Sequence, residues 1–297
     1  MKSYEVEVQD GVPITPKRKK AKKHLSTRRI LLYAFLAALI CVLGIAAAIY
    51  AYGLRYIKID TEIGGYVKFF GTVDSQGVPY KGKLYYSDGT TGEVDMLNHR
   101  VKFSNGDEYE GALNYALRMD GEGTMKYATG DIYTGTFKDG VISGEGTISY
   151  ANGDEYKGTF VNGQKEGDGV YTWFDGSAYT GHFSANKKDG FGTYRWSDGS
   201  YYTGTYVADL KSGTGIFHYS NGDIYSGEFS NDARNGEGTY TWSNGDEYTG
   251  TFLNNEMNGH GIYRFASGRT FEGEFRNGSL VRDSGTDEPQ TDSGSEG

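Results

Sequence analysis

A period of 23 residues runs through more than half of this sequence. Tyr133, Tyr156, Tyr179, Tyr202, Tyr225 and Tyr248 are each 23 apart, Phe271 falls on the next beat, and Tyr109 opens the series one residue early. Gly follows two residues after each ring, at Gly111, Gly135, Gly158, Gly181, Gly204, Gly227, Gly250 and Gly273. A fixed period of this length marks stacked supersecondary units, each too small to bury its apolar side alone. The chain is therefore built as an array, which favours an extended binding surface over a buried catalytic pocket.

Within one unit the pattern has period two. Tyr156, Gly158 and Phe160 alternate with Lys157 and Thr159; Gly167, Gly169, Tyr171 and Trp173 alternate with Asp168, Val170 and Thr172. Alternation over runs this short predicts two strands with unlike faces, so each repeat is a β-hairpin. Three residues past the ring that ends the first strand stand Gly140, Gly163, Asn186, Asp209, Asp232, Asn255 and Gly278. Only residues that tolerate positive φ occur there, so that position is expected to be left-handed. The other turn always carries Gly, from Gly130 and Gly153 through Gly268.

Parity then assigns the faces. A six-residue connection places Tyr156 opposite Tyr171, Gly158 opposite Gly169 and Phe160 opposite Gly167. For Tyr150 and Tyr156 to share a face, the second loop needs an odd residue count or a bulge. One face is then aromatic and glycine, the other rich in Thr and charge, with Thr134, Thr136, Lys157, Thr159, Thr180, His182, Thr203 and Thr205. The candidate binding residues lie on the aromatic face: Tyr156, Tyr171, Trp173, Tyr179, Tyr194, Trp196, Tyr202, Tyr225, Tyr240, Trp242 and Tyr248. Gly158, Gly167, Gly169, Gly181, Gly190 and Gly192 are the candidate structural glycines.

This arrangement resembles the membrane occupation and recognition nexus (MORN) repeat. Seven full copies run from Tyr109 to Gly268 and a half copy spans 271–278; Tyr86, Gly89, Gly92, Phe103 and Gly106 echo the pattern upstream. The resemblance implies an elongated, single-layer antiparallel array of hairpins, binding to protein partners or a second copy of the chain, and a link to phosphoinositides or phosphatidic acid. The expected layout is a basic, disordered cytoplasmic tail over 1–29, a transmembrane helix over 30–52, a linker with degenerate capping repeats over 53–108, the array over 109–280 and a disordered acidic tail over 281–297.

The anchor is read from charge. Between Arg29 and Arg55 lie 25 uncharged residues, enough to span a bilayer. Residues 1–55 hold 10 Lys/Arg against 3 Asp/Glu, and residues 56–297 hold 20 against 36. The positive-inside rule puts the tail in the cytoplasm and the array outside the plasma membrane, in a single pass. A cleaved signal peptide is the rival reading, with Ala46, Ala47 and Ala48 as a small-residue site. An array carrying 16 more acidic than basic side chains excludes nucleic acid as a partner.

Catalytic chemistry is hard to place. His24, His99, His182, His218 and His260 sit at unrelated repeat positions, and the one thiol, Cys41, lies in the apolar run. The stretch from Gly77 to Leu84 approaches a phosphate loop, but Leu84 stands where Ser or Thr is required. Asp107, Asp131, Asp154, Asp223 and Asp246 recur in the Gly-bearing turns, where turn formation and edge solubility account for them. The reading is a non-enzymatic scaffold without cofactor or metal; lipid binding and binding of cell-wall glycan are the alternatives.

Overall fold

The computed structural model describes residues 8–9, 12–13, 26–60 and 65–281. The basic leader and the acidic tail, with the disorder expected of them, lie mostly outside the described residues. The chain divides into two compact units between Leu54 and Arg55. The first contains the helix Thr27–Ala51, whose side chains are all exposed and which is long and apolar enough to cross a membrane. A membrane anchor and a signal sequence both fit that description.

The second unit is one antiparallel sheet whose 21 strands, from Leu54–Asp60 to Ser279–Leu280, neighbour one another in chain order. The upstream echo of the repeat is part of it: Tyr66–Val73, Pro79–Tyr86, Thr91–Asp95 and Arg100–Phe103 are strands. Leu84 of the loop-like stretch is a buried strand residue, and among the described residues no helix follows it.

Two kinds of turn set the register. Glu155–Val161 and Gln164–Thr172 are joined through Asn162 and Gly163 alone, at φ 50° and 78°. Both central residues are left-handed, the type I′ geometry whose twist matches that of paired strands. Ala185 and Asn186 (48° and 72°) and Asn254 and Asn255 (49° and 74°) repeat it. The expected left-handed position is confirmed, and the residue before it is left-handed as well. At the other turn the Tyr150 N–H donates to the Asp154 carbonyl and the Gly153 N–H to the Tyr150 carbonyl, both at 2.9 Å. The loop between is Ala151, Asn152 and Gly153, with Gly153 at φ 92°: an odd count, as required.

Tyr156 pairs with Tyr171 and Gly158 with Gly169, as parity demands, but Phe160 pairs with Lys165 rather than with Gly167. The two-residue turn starts the return strand earlier than a six-residue connection would. The register is restored by a bulge that sets Thr159 against Glu166, Gly167 and Asp168. Gly167 meets a ring after all, on its other side: it pairs with Phe183 of the following repeat, as Gly190 does with Tyr206. Both are left-handed, at φ 71° and 98°.

The repeat tyrosine closes this irregular step. Its ring lies over the paired glycines, so a Cβ on Gly158 would come within 2.5 Å of the Tyr156 hydroxyl and one on Gly169 within 2.6 Å. The Tyr156 hydroxyl donates to the carbonyl of Thr159, inside the register shift, at 3.2 Å. Tyr109, Tyr133, Tyr179, Tyr202, Tyr225 and Tyr248 do the same to the third residue on, at 2.7–3.2 Å. All seven rings are fully buried. Phe271 keeps the beat but has no hydroxyl, and Leu280 lies against Gly273 there.

Consecutive repeats are also stitched at both edges. Asp107, Asp131, Asp154, Asp223 and Asp246 each accept a backbone N–H from the next Gly-bearing turn at 2.8–2.9 Å. On the far edge Asn186, Asp209, Asp232 and Asn255 accept the N–H of Lys165, Lys188, Lys211 and Arg234, all at 2.9 Å.

Gly169→Ala, which forces a methyl against the Tyr156 ring, is expected to cost about 2 kcal/mol in urea denaturation. Gly163→Asn, which puts in the residue that Asn255 already supplies at the same turn position, should stay within about 0.5 kcal/mol of wild type.

Candidate functional site

The repeat rings gather on one face and the Thr columns on the other, with Phe191 and Tyr201 the exceptions on the Thr-bearing side, and the aromatic face carries two rows of rings. The inner row alternates Tyr and Phe edge to face: Tyr133, Phe160, Tyr156, Phe183 and Tyr179 follow one another at 5.1–5.3 Å with planes 83–90° apart. It continues through Tyr202, Tyr225 and Tyr248 to Phe275. Edge-to-face contact places the positive ring edge on the negative ring face. The inner row is buried and serves as the core of a sheet that has no second layer.

The outer row is half-buried and open to a ligand. It runs Tyr150, Tyr171, Trp173, Tyr194, Trp196, Phe217, Tyr219, Tyr240, Trp242, Tyr263 and Phe265, with successive centroids 4.3–5.9 Å apart. The candidate binding residues therefore divide. Tyr156, Tyr179, Tyr202, Tyr225 and Tyr248 are core, whereas Tyr171, Trp173, Tyr194, Trp196, Tyr240 and Trp242 form a continuous surface strip. Tyr171, Tyr240 and Tyr263 are steered by their hydroxyls, which donate to Asp154, Asp223 and Asp246 at 2.6–3.0 Å. The Phe174 N–H, helped by the Tyr171 hydroxyl, holds Asp154 below the usual carboxylate range.

Between the two rows stands a file of cations absent from the sequence-based site. Lys165, Lys188, Lys211 and Arg234 share one repeat position, which Ile142 occupies before them and Met257 after. The Lys165 ammonium lies 4.6 Å from the Tyr171 centroid and 5.3 Å from that of Tyr156, touching both rows. Lys188 sits 4.9 Å from Tyr194, Lys211 5.5 Å from Phe217, and the Arg234 guanidinium carbon 5.0 Å from Tyr240. Burial lowers the three lysines from their ordinary pKa. Parity placed Lys165 in a connecting loop; the bulge brings it onto the strand and the ring face. The Asn162–Gly163 pair, a type I′ signature, was the signal that could have revealed it.

A model of the MORN repeat matches residues 118–132, 133–155, 156–178, 179–201, 202–224, 225–247 and 248–268, more than half of the chain. The chain belongs to the MORN-repeat family. None of the curated proteins compared matches the sequence. Among solved structures, the SAS-4 (dCPAP) TCP domain of Drosophila melanogaster, in complex with a proline rich motif of Ana2 (dSTIL), is similar at 14% identity over 68% of this chain and 94% of that one, with a TM-score of 0.25. A streptogramin B lyase matches at 14% identity, 75% and 69% coverage and a TM-score of 0.14. Virginiamycin B lyase from Staphylococcus aureus, with quinupristin, matches at 13%, 75%, 71% and 0.14. TM-scores this low carry no weight for fold or function. No group of three or more His, Cys, Asp or Glu side chains among the described residues is placed to hold a metal ion.

The buried MORN tyrosines give the sheet a pH limit. Burial pushes Tyr109, Tyr133, Tyr156, Tyr179, Tyr202, Tyr225 and Tyr248 up to about 12 from the usual 10.0. The unfolded chain ionises first, so their stabilising share is whole below pH 10 and is lost as pH rises towards 12. Alkaline titration should show tyrosinate absorbance and loss of sheet rising together in that window, releasing several protons. Tyr156→Phe should lower the proton count by about one and cost about 1 kcal/mol at neutral pH through the lost hydrogen bond.

Proposed function

We propose that this MORN protein is a non-enzymatic scaffold, held at the plasma membrane by the helix Thr27–Ala51, that binds a protein segment along its outer aromatic row. One observation carries the reading: half-buried rings in unbroken contact from Tyr150 to Phe265, a strip far longer than a small-molecule pocket. Contiguous apolar surface of that extent marks an interaction site. The inner row already supplies the core, so the outer row is free to engage a partner. A second copy of the chain and another protein are both compatible occupants.

Two features weigh against the lipid and glycan readings. The array's acidic excess opposes a flat anionic bilayer, which would face the whole sheet and not the narrow row of cations alone, and a sugar stacking on the outer rings would have to displace the cations already over Tyr171, Tyr194 and Tyr240. Photo-crosslinkers placed at Tyr194 and Trp196 in native membranes should yield protein adducts, while the same groups at Thr180 and Thr203 on the opposite face should yield at least five-fold less. Adducts only to lipid or glycan, or equal yields on both faces, would overturn the reading. The charge asymmetry around the helix further predicts that protease added to intact cells degrades the array and spares the basic leader.

A further inference from the structure

The row of cations has a measurable pitch. Each MORN repeat contributes two strands, spaced about 4.8 Å, so neighbouring cations recur at about 9.6 Å along the array. Lys165, Lys188, Lys211 and Arg234 thus span about 29 Å in three steps. Ile142 and Met257 close the row with apolar side chains at both ends. Among the described residues no carboxylate lies within ion-pair distance of Lys165 or Lys188, and the nearest to Lys211 is Asp232 at 3.8 Å. The Arg234 guanidinium donates to the Asn255 carbonyl at 2.6 Å, and its Nε is buried without a partner. Four cations therefore stand at regular intervals beside the aromatic strip; Asp154, Asp209 and Asp232 lie near the lysines, but only Lys211 has a carboxylate within ion-pair distance.

Three regular conformations could present carboxylates to such a row. A β-strand puts every third residue on opposite faces, so it cannot repeat at this pitch on one side. An α-helix returns to the same face after seven residues and about 10.5 Å, and overshoots the row by about 3 Å in three steps. A polyproline II helix has three residues per turn and a rise of about 3.1 Å, so every third residue lies on one face at about 9.3 Å. It stays within about 1 Å of the four cations over the whole row, and its rigid backbone docks well on aromatic surfaces.

Building on the proposed protein-binding role of this strip, we infer that the ligand is an extended, polyproline II-like peptide with a carboxylate at every third position, four in all, one for each of Lys165, Lys188, Lys211 and Arg234. The outer rings seat the two residues between successive acids. Acidity gives the affinity; the three-residue spacing gives the selectivity.

The test uses the full chain in detergent micelles and three synthetic peptides. (Pro-Pro-Glu)4 carries the matched spacing. (Pro-Pro-Pro-Glu)4 has the same charge in the wrong register, and (Pro-Pro-Gln)4 has the right spacing without charge. The matched peptide should bind at least ten-fold tighter than the mismatched one, and the neutral one should not bind measurably. Lys188→Gln and Lys211→Gln should each weaken the matched peptide about five-fold, as loss of one partly screened ion pair does. The same two changes should leave the far-ultraviolet spectrum unaltered, so that weaker binding is not loss of the sheet. Equal affinity for the two acidic peptides, which would reflect only general attraction to the basic leader, overturns the proposal. So does displacement of the matched peptide by short-chain phosphatidic acid at comparable concentration. If the peptides fail while crosslinks at Tyr194 and Trp196 still capture protein, the ligand chemistry is wrong and the scaffold reading stands.

Discussion

A phenol ring lying on two glycines is the contact from which the rest of this sheet follows. A 21-strand sheet with no covering layer has nothing to bury its apolar side against except itself. The repeat solves this by removing side chains at Gly158 and Gly169, which lets Tyr156 lie flat on the bare backbone. The flat ring is then free to meet Phe160 and Phe183 edge-on, and those contacts join into one buried file. Tyrosine is needed because the same repeat contains a bulge, whose interior carbonyl accepts a hydrogen bond from the hydroxyl. Glycine pair, ring and bulge are thus one device repeated seven times.

Much of this was legible in the sequence because the repeat multiplies each weak signal. The beat of Tyr and Gly gave the hairpins, the facing pairs Tyr156–Tyr171 and Gly158–Gly169, the segregated faces and the odd loop at Asn152. The bulge was not legible. Parity counts residues between two points and finds the same total whether the connection is a six-residue loop or a tight turn followed by three residues opposite one. That ambiguity misplaced Phe160 against Gly167 and hid Lys165 inside an imagined loop. Every choice in the site follows from it: which rings are core, which are surface, and that cations lie between them. The division of the candidate residues into a buried and an open row was equally out of reach, because alternation assigns a face but not a depth.

Polar side chains that look like solubility devices turn out to be fasteners. Asp107, Asp131, Asp154, Asp223 and Asp246 each reach the next Gly-bearing turn, and Asn186, Asp209, Asp232 and Asn255 reach back to the preceding cation-bearing strand. These bonds run only between adjacent repeats, as in other one-dimensional architectures. The turn carboxylates are engaged along the two edges, and the cations stand in the interior of the aromatic face.

Because all of these contacts bind a unit only to its immediate neighbours, the array has no privileged centre. Excising one whole unit of 23 residues would leave its flanks to meet in the same way, and a single extra residue is taken up in a turn, as between Leu113 and Met119, where Tyr109 and Tyr133 are 24 apart yet both buried on one face. The dimensions across the strip are consequently frozen by backbone geometry, and its extent is adjustable in whole rungs. A lineage carrying such a ribbon can lengthen or shorten its reach by gene-level duplication or loss of a unit without redesigning any contact.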